Sequence, residues 1–158
     1  MYELLKKRFP SYEIVELDED FWDIVNPFGK ANIGVYEEKI FSVVLGEEWR
    51  PSLPSRIEYV IHFDAQHRHF DELEAAFEYV ESIMNDEVCA VEFRKHEILR
   101  MCGEIDSSEL ADLRLEKLLQ SFSYDLANTE FSVRSFSGKH DINGRIEEAD
   151  GKLTLIME

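Results

Sequence analysis

The sequence has few of the residues that interrupt regular structure or that build disulfide and zinc sites. Only seven glycines, four prolines and two cysteines occur among its 158 residues. So little Gly and Pro excludes a low-complexity linker, and a chain of this length can fold around one core. We therefore predict a single α+β domain over residues 1–158. The two cysteines, Cys89 and Cys102, form neither a CxxC motif nor a zinc-binding quartet.

Positive charge is scarce as well. The chain carries 17 Lys and Arg residues against 34 Asp and Glu residues, a net charge of −17. A field of this sign repels phosphate backbones and anionic lipid surfaces, so we predict neither a nucleic-acid nor a membrane partner. It attracts cationic surfaces, which favours a basic protein partner. The simpler alternative is that the acidity serves solubility alone.

Long apolar stretches are missing too. Residues 1–8 lack the apolar core of a signal peptide, and no run of residues approaches the length of a transmembrane helix. We therefore expect a cytoplasmic protein whose thiols are reduced.

The sequence also lacks the local motifs of common catalytic sites. It contains no GxSxG elbow, no GxGxxG and no Walker A loop. Cys89 lies within an apolar run, which favours a buried, inert thiol over a nucleophile. With 34 acids, any carboxylate pair is a weak signal for hydrolysis, and that possibility stays open. We therefore predict no catalytic residue and favour a protein without enzymatic activity.

What the sequence does contain is a series of short strand-like segments with few helices between them. This pattern predicts an α+β fold with a mostly antiparallel sheet, a meander, and two main helices packed on it. The helices are predicted at 72–85 and 108–122, with Asp71 capping the first and Glu74 completing a capping box. The strands are predicted at 12–17, 21–25, 31–37, 40–45, 57–63, 88–95, 97–105, 131–136, 142–148 and 152–157.

Residues 62–71 form the densest cluster of metal-ligand side chains. Four of them, His62, Asp64, His67 and His69, are the types that zinc or manganese prefers. They make a divalent metal cofactor, or a metal-dependent hydrolase, an alternative hypothesis. Against it, we expect residues 67–71 to form a strand-to-helix turn, where strand alternation fails, and Arg68 would oppose a bound cation. The competing interpretation is that the histidines pack around the helix start.

A second candidate region is an acidic stretch near the start of the chain. No Lys or Arg occurs between Phe9 and Gly29, and acids alternate there with aromatic side chains. Such a mixture suits docking of a basic protein, although Trp22 and Phe28 are equally explained as core residues. Trp49, in a loop with two prolines, is a second contact candidate. The predicted partner-binding residues are Glu13, Glu16, Asp18, Glu19, Asp20, Trp22, Asp23 and Trp49.

The segment from Phe63 to Phe93 resembles small uncharacterised bacterial proteins that carry an H-x-H-F-D turn between a strand and an amphipathic helix. In size, acidity and lack of motifs, the chain is similar to immunity proteins of bacterial toxin systems. That resemblance implies tight binding to a cognate toxin domain, often a basic one, and it carries over no catalytic residue.

Three functional hypotheses follow from the sequence. The first is a protein-binding module without catalytic activity that occludes a basic partner, with neutralisation of a toxin, as by immunity proteins, as its narrower form. The second is the metal-binding protein or hydrolase built on the histidine cluster. The third is a structural subunit of a homo-oligomer that pairs through an exposed edge strand.

Overall fold

The computed structural model describes residues 1–40, 56–122 and 125–158. Its strands form two antiparallel sheets of five strands each, one after the other along the chain. The first sheet has the order β1-β2-β3-β4-β5, and the second has the order β10-β9-β8-β6-β7. The predicted α+β class with mostly antiparallel pairing is confirmed, although the strands divide between two sheets.

The first sheet is a simple meander in which each strand pairs with the next. Its β-branched and aromatic side chains alternate with polar ones, a pattern that suits a sheet with one buried face. Asp64 closes the last hairpin in the left-handed region (φ 54°), which Asp adopts more readily than most residues. The strands are β1 Ile14–Asp18, β2 Phe21–Ile24, β3 Ile33–Ile40, β4 Arg56–Phe63 and β5 Gln66–Phe70.

The second sheet is built from a hairpin of β6 and β7 and a meander of β8, β9 and β10, which meet where β8 pairs with β6. The β9–β10 hairpin turns at Asp150 and Gly151, both left-handed, as the Asp-Gly pair predicts. Its strands are β6 Val88–Lys95, β7 Ile98–Asp106, β8 Thr129–Arg134, β9 Ile142–Ala149 and β10 Lys152–Met157.

Two cores organise the helices. In the first, α1 (Tyr2–Arg8) and α2 (Leu73–Met84) cover the inner face of the first sheet, where Ile33, Val35 and Ile61 are fully buried. In the second, α4 (Leu115–Ser121) packs on the second sheet through Leu118. Each core buries apolar area, which is the main stabilising term of such a fold.

The predicted helix at 108–122 is wrong as a continuous element. The structure has a short α3 (Ser107–Leu110), then a turn, then α4. α3 buries no side chain, whereas Leu118 is fully buried. Arg114, in an extended conformation, changes the chain direction between the two helices. Packing of α4 into the second core has overridden the continuous helical periodicity.

The region around residues 66–72 also differs from the prediction. The expected turn at 67–71 is a regular strand, β5, because its backbone pairs along β4. The first long helix begins at Leu73, one residue later than predicted, and its cap residue is Glu72. The side chain of Glu72 makes no capping hydrogen bond, and Asp71 lies one residue before the cap position, so the predicted capping box of Asp71 and Glu74 is wrong.

The break at Glu38 and Lys39, between the strands predicted at 31–37 and 40–45, is wrong as well. Both residues lie within β3, which continues to Ile40 in register with β4. The predicted strand at 40–45 lies, beyond its first residue, outside the described residues. In the described part of the chain, no helix is long and apolar enough to cross a membrane.

Candidate partner-binding groove

The outer face of the first sheet carries a row of aromatic side chains. Phe21 on β2 lies directly opposite Tyr36 on β3, and their rings stack at 3.9 Å with an angle of 10°. The Tyr36 ring is 4.8 Å from the imidazole of His62 on β4. Strand alternation places all three on the face away from the buried Val35, so they form a continuous π surface.

Gly34 makes this surface possible. A Cβ atom at this position would lie 3.0 Å from Cε2 of Phe21 and 3.3 Å from Cβ of His62. The missing side chain leaves the space into which the Phe21 ring leans. Gly34 therefore lets the aromatic side chains from β2 and β4 approach each other over β3.

A groove of about 680 Å³ lies over this aromatic row. Five of its lining residues are acids, and none of those the structure describes is Lys or Arg. Three histidines form the opposite wall. We call this feature the acidic groove, and its lining residues are Asp18, Glu19, Asp20, Phe21, Tyr36, Glu37, Glu38, Val60, His62, His67 and His69.

The acidic wall is held by the turn between β1 and β2. Oδ1 of Asp18 accepts a 2.8 Å hydrogen bond from the backbone N–H of Glu19. The carbonyl of Asp20 accepts one of 3.0 Å from the backbone of Glu37, which ties the turn to β3. Lys39 donates to both carboxylate oxygens of Asp20, at 2.9 and 3.1 Å. The turn is thus fixed, and one of its three acids is already neutralised.

The histidine wall arises from the register of β4 and β5. His62 lies opposite His67, with ring centroids 5.3 Å apart. The ring centroids of His67 and His69 are 5.4 Å apart. Partial burial, followed by the charges of the two neighbouring histidines, lowers the pKa of His62 below its usual value. The neutral form of this imidazole is therefore favoured at neutral pH, and its ring adds apolar surface where the histidine wall meets the aromatic row.

The structure brings together three of the four residues predicted to bind metal. His62, His67 and His69 share the outer face, whereas Asp64 sits at the hairpin tip and lines a separate cavity of about 210 Å³ between the sheets. Burial and Glu92 raise the pKa of Asp64, although the residue as a whole is exposed. Metal binding by the four predicted residues stays a prediction, and Asp64 does not face the three histidines.

Sequence reasoning missed a different group of ligand-type side chains at one end of the acidic groove. In the described part of the chain, the atoms that Glu38, Glu58 and His69 can offer to a metal lie within 4.8 Å of one another. Glu38 was missed because it lies between the strands predicted at 31–37 and 40–45, so it was not assigned to a strand. The alternation of β4, with Glu58 and His62 on one face, was the available signal.

The predicted partner-binding residues have different positions. Asp18, Glu19 and Asp20 line the acidic groove. Glu16 lies on β1 and Glu13 directly before it, and both are exposed outside the lining of the acidic groove. Asp23 accepts a hydrogen bond from Asn32. Trp49 lies outside the described residues.

Trp22 and Phe28, two aromatic residues of the acidic stretch, differ in their exposure to solvent. Trp22 is 4% exposed and belongs to the first core, so it offers no surface to a partner. Phe28, which we considered as a core residue, is instead 58% exposed. Trp22 is therefore removed from the predicted contact set.

Cys89 does not add a nucleophilic site. Cys89 is fully buried, as its apolar neighbours predict. Burial, and then the nearby Asp86, raise the pKa of its thiol to about 12. A thiol that stays protonated at neutral pH is a poor nucleophile.

Comparisons with known proteins found no family model, no curated protein and no solved structure that matches the chain. What the protein does is therefore inferred from its own residues.

Proposed function

We propose that the protein is a binding module without catalytic activity whose acidic groove takes a basic segment of a partner protein. One observation carries the proposal. The acids of the β1–β2 turn, which the sequence marks as a docking candidate, line the same groove as the stacked rings of Phe21 and Tyr36. Charge and aromatic area thus meet at one concave surface, as they do at the centres of protein interfaces.

The negative charge of the acidic groove favours a positively charged partner. Five carboxylates line it, and Lys39 neutralises only Asp20 among the ion pairs that involve described residues. The chain's net charge of −17 adds a long-range field of the same sign. Such a field concentrates cationic ligands at the surface and accelerates their association.

The floor of the acidic groove suits the rest of a Lys or Arg side chain. These side chains have an apolar stem and a charged head, and the stem packs on apolar surface while the head reaches a carboxylate. The faces of Phe21 and Tyr36 add a favourable interaction with the cation. A groove of about 680 Å³ has room for a few such side chains from an extended segment.

Occlusion is the mechanism that this arrangement supports. A bound basic segment would be covered on one side by the sheet and would be withheld from its own target. The size and acidity that the chain shares with immunity proteins support a toxin-neutralising role of this kind, in which the occluded surface belongs to a basic toxin domain.

Fluorescence anisotropy with a labelled heptalysine peptide tests the proposal. The groove variant Asp18→Asn/Glu19→Gln removes two charges and keeps the oxygen that accepts from the Glu19 backbone. The control variant Glu109→Gln/Glu116→Gln removes two charges from exposed positions on α3 and α4. All three proteins have to be compared in buffer with EDTA, so that metal ions play no part.

We expect the groove variant to bind heptalysine about 2- to 30-fold more weakly, since each exposed ion pair contributes about 0.2–1 kcal/mol. The control variant should stay closer to the original protein, and all affinities should fall as salt is added. Equal losses in the groove and control variants would show diffuse attraction to an acidic surface and would contradict the proposal.

A further inference from the structure

We propose that Glu38, Glu58 and His69 form a binding site for a divalent transition-metal ion, with zinc or manganese as the fitting class. This site differs from the one that the sequence suggests, with which it shares only His69. It does not depend on the basic partner proposed above, although Glu38 and His69 also line the acidic groove.

The site is built by the register of three strands. Glu38 on β3 lies directly opposite Glu58 on β4. His69 on β5 lies opposite Val60, two residues along β4 from Glu58. Because side chains two residues apart share a face, all three point to the outer face of the first sheet. Their ligand atoms lie within 4.8 Å of one another.

The two carboxylates are placed where a cation is needed. Glu58 is 9% exposed and pairs with Arg56, because an ionised carboxylate is costly to bury without a charged partner. Like charges directly opposite each other on paired strands destabilise a sheet. Glu38 has no hydrogen-bond or ion-pair partner among the described residues, so its negative charge repels that of Glu58. A cation between the two carboxylates would remove this repulsion.

Arg56 satisfies one side of Glu58 and leaves the other side for the ion. Its guanidinium contacts Oε1 of Glu58 and also reaches Asp71 at 3.2 Å. The other oxygen, Oε2, shares a 3.1 Å hydrogen bond with Nδ1 of His69, and an ion bound between these two atoms would replace that hydrogen bond. Two ligands of one tetrahedral zinc ion, each about 2.0–2.2 Å from the metal, lie about 3.3–3.6 Å apart. Oε2 and Nδ1 therefore have to separate by only a few tenths of an ångström to share an ion.

The third ligand has to move to complete the set. Glu38 is exposed, and its side chain is free to rotate towards the other two. One imidazole and two carboxylates suit zinc or manganese better than calcium, which takes oxygen ligands. Three protein ligands leave at least one coordination position for water or for a donor from another molecule.

Isothermal titration calorimetry with zinc chloride, and then manganese chloride, tests the site on metal-stripped protein. The ligand variants are Glu38→Gln and His69→Gln, both at exposed positions that do not support the core. The matched control is His67→Gln, on the same face of the same strand and outside the proposed set. A second control, Glu116→Gln, removes one distant acid.

We expect one metal ion per chain, and we expect each ligand variant to weaken binding by at least about tenfold, the scale on which even supporting residues act at metal sites. His67→Gln and Glu116→Gln should bind as the original protein does. The site is overturned if neither metal binds saturably, or if Glu38→Gln and His69→Gln retain full affinity. Loss in His67→Gln with Glu38→Gln unaffected would instead support the histidine cluster and would also overturn this site. Circular dichroism of each variant confirms its fold.

Discussion

Asn26 and Phe136, which are 110 residues apart in the chain, are joined by a buried hydrogen bond of 2.8 Å from the Asn26 side-chain amide to the Phe136 carbonyl. The same amide donates to the carbonyl of Ala31, and its oxygen accepts from the backbone of Phe28. One side chain thus fixes the loop after β2 and fastens it to the segment that follows β8 in the second sheet.

Replacing Asn26 should therefore destabilise the fold. Asn26→Ala leaves a buried carbonyl without its donor, which costs about 1–3 kcal/mol. Urea unfolding followed by circular dichroism measures this change in the free energy of unfolding. A loss below about 0.5 kcal/mol, the range of an ordinary surface substitution, would contradict this role for Asn26.

The close approach over Gly34 predicts a coupling with Phe21. In Gly34→Ala, the new methyl group meets the Phe21 ring and pushes it from its stack on Tyr36, at a cost of about 0.5–1.5 kcal/mol. In a Phe21→Ala background, that penalty should shrink, because the ring is no longer there. A double-mutant cycle by urea unfolding measures the coupling. Additive effects of the two substitutions would contradict the packing described for the groove floor.

The two cysteines should react at very different rates. Cys89 is fully buried and the pKa of its thiol is raised to about 12, whereas Cys102 is half-buried. Ellman's reagent at neutral pH should therefore titrate one thiol in the folded protein and two after denaturation. Cys102→Ser should abolish the fast reaction. Rapid modification of both thiols in the folded protein would be inconsistent with a buried Cys89.

His62 predicts a dependence of stability on pH. Because its pKa is lowered in the fold, the unfolded chain binds a proton at higher pH than the folded chain does. The contribution of His62 to stability is therefore fully present above about pH 6.5, which is the pKa of a histidine in the unfolded chain. It is lost as the pH falls from there towards the lower pKa of His62 in the folded protein. The free energy of unfolding should differ less between pH 7.5 and pH 5.5 for His62→Asn than for the original protein. An equal difference would contradict the lowered pKa.

Some elements could be predicted because their signals are local. The strands Val88–Lys95 and Lys152–Met157 have the predicted bounds, the second because the Asp-Gly turn fixes where it begins. β5 was missed because its run of His and Arg carries little strand propensity, and pairing with β4 supplies what the sequence lacks. The break before α4 likewise depends on packing against a distant core.

The acidic groove, too, could be predicted from the sequence only in part. The sequence marks Asp18 to Asp20 and the histidines as two separate candidate regions, about fifty residues apart. Only the register of the first sheet, which runs from β1 to β5 without a crossover, brings them to one surface. The alternation of β4 places Glu58 on the face of His62, but Glu38 could not be recognised, because among 34 acids nothing local marks it as the cross-strand neighbour of Glu58.

An NMR titration tests the central claim most directly. Amide shifts of labelled protein are followed as heptalysine is added in buffer with EDTA, which keeps metal ions out of the measurement. The account predicts saturable shifts concentrated in residues 18–21, 36–38 and 67–69, with little change at Glu109, Glu116 or the β9–β10 hairpin. Shifts spread evenly over all acidic surfaces, or concentrated away from these three segments, would contradict a binding site in the acidic groove.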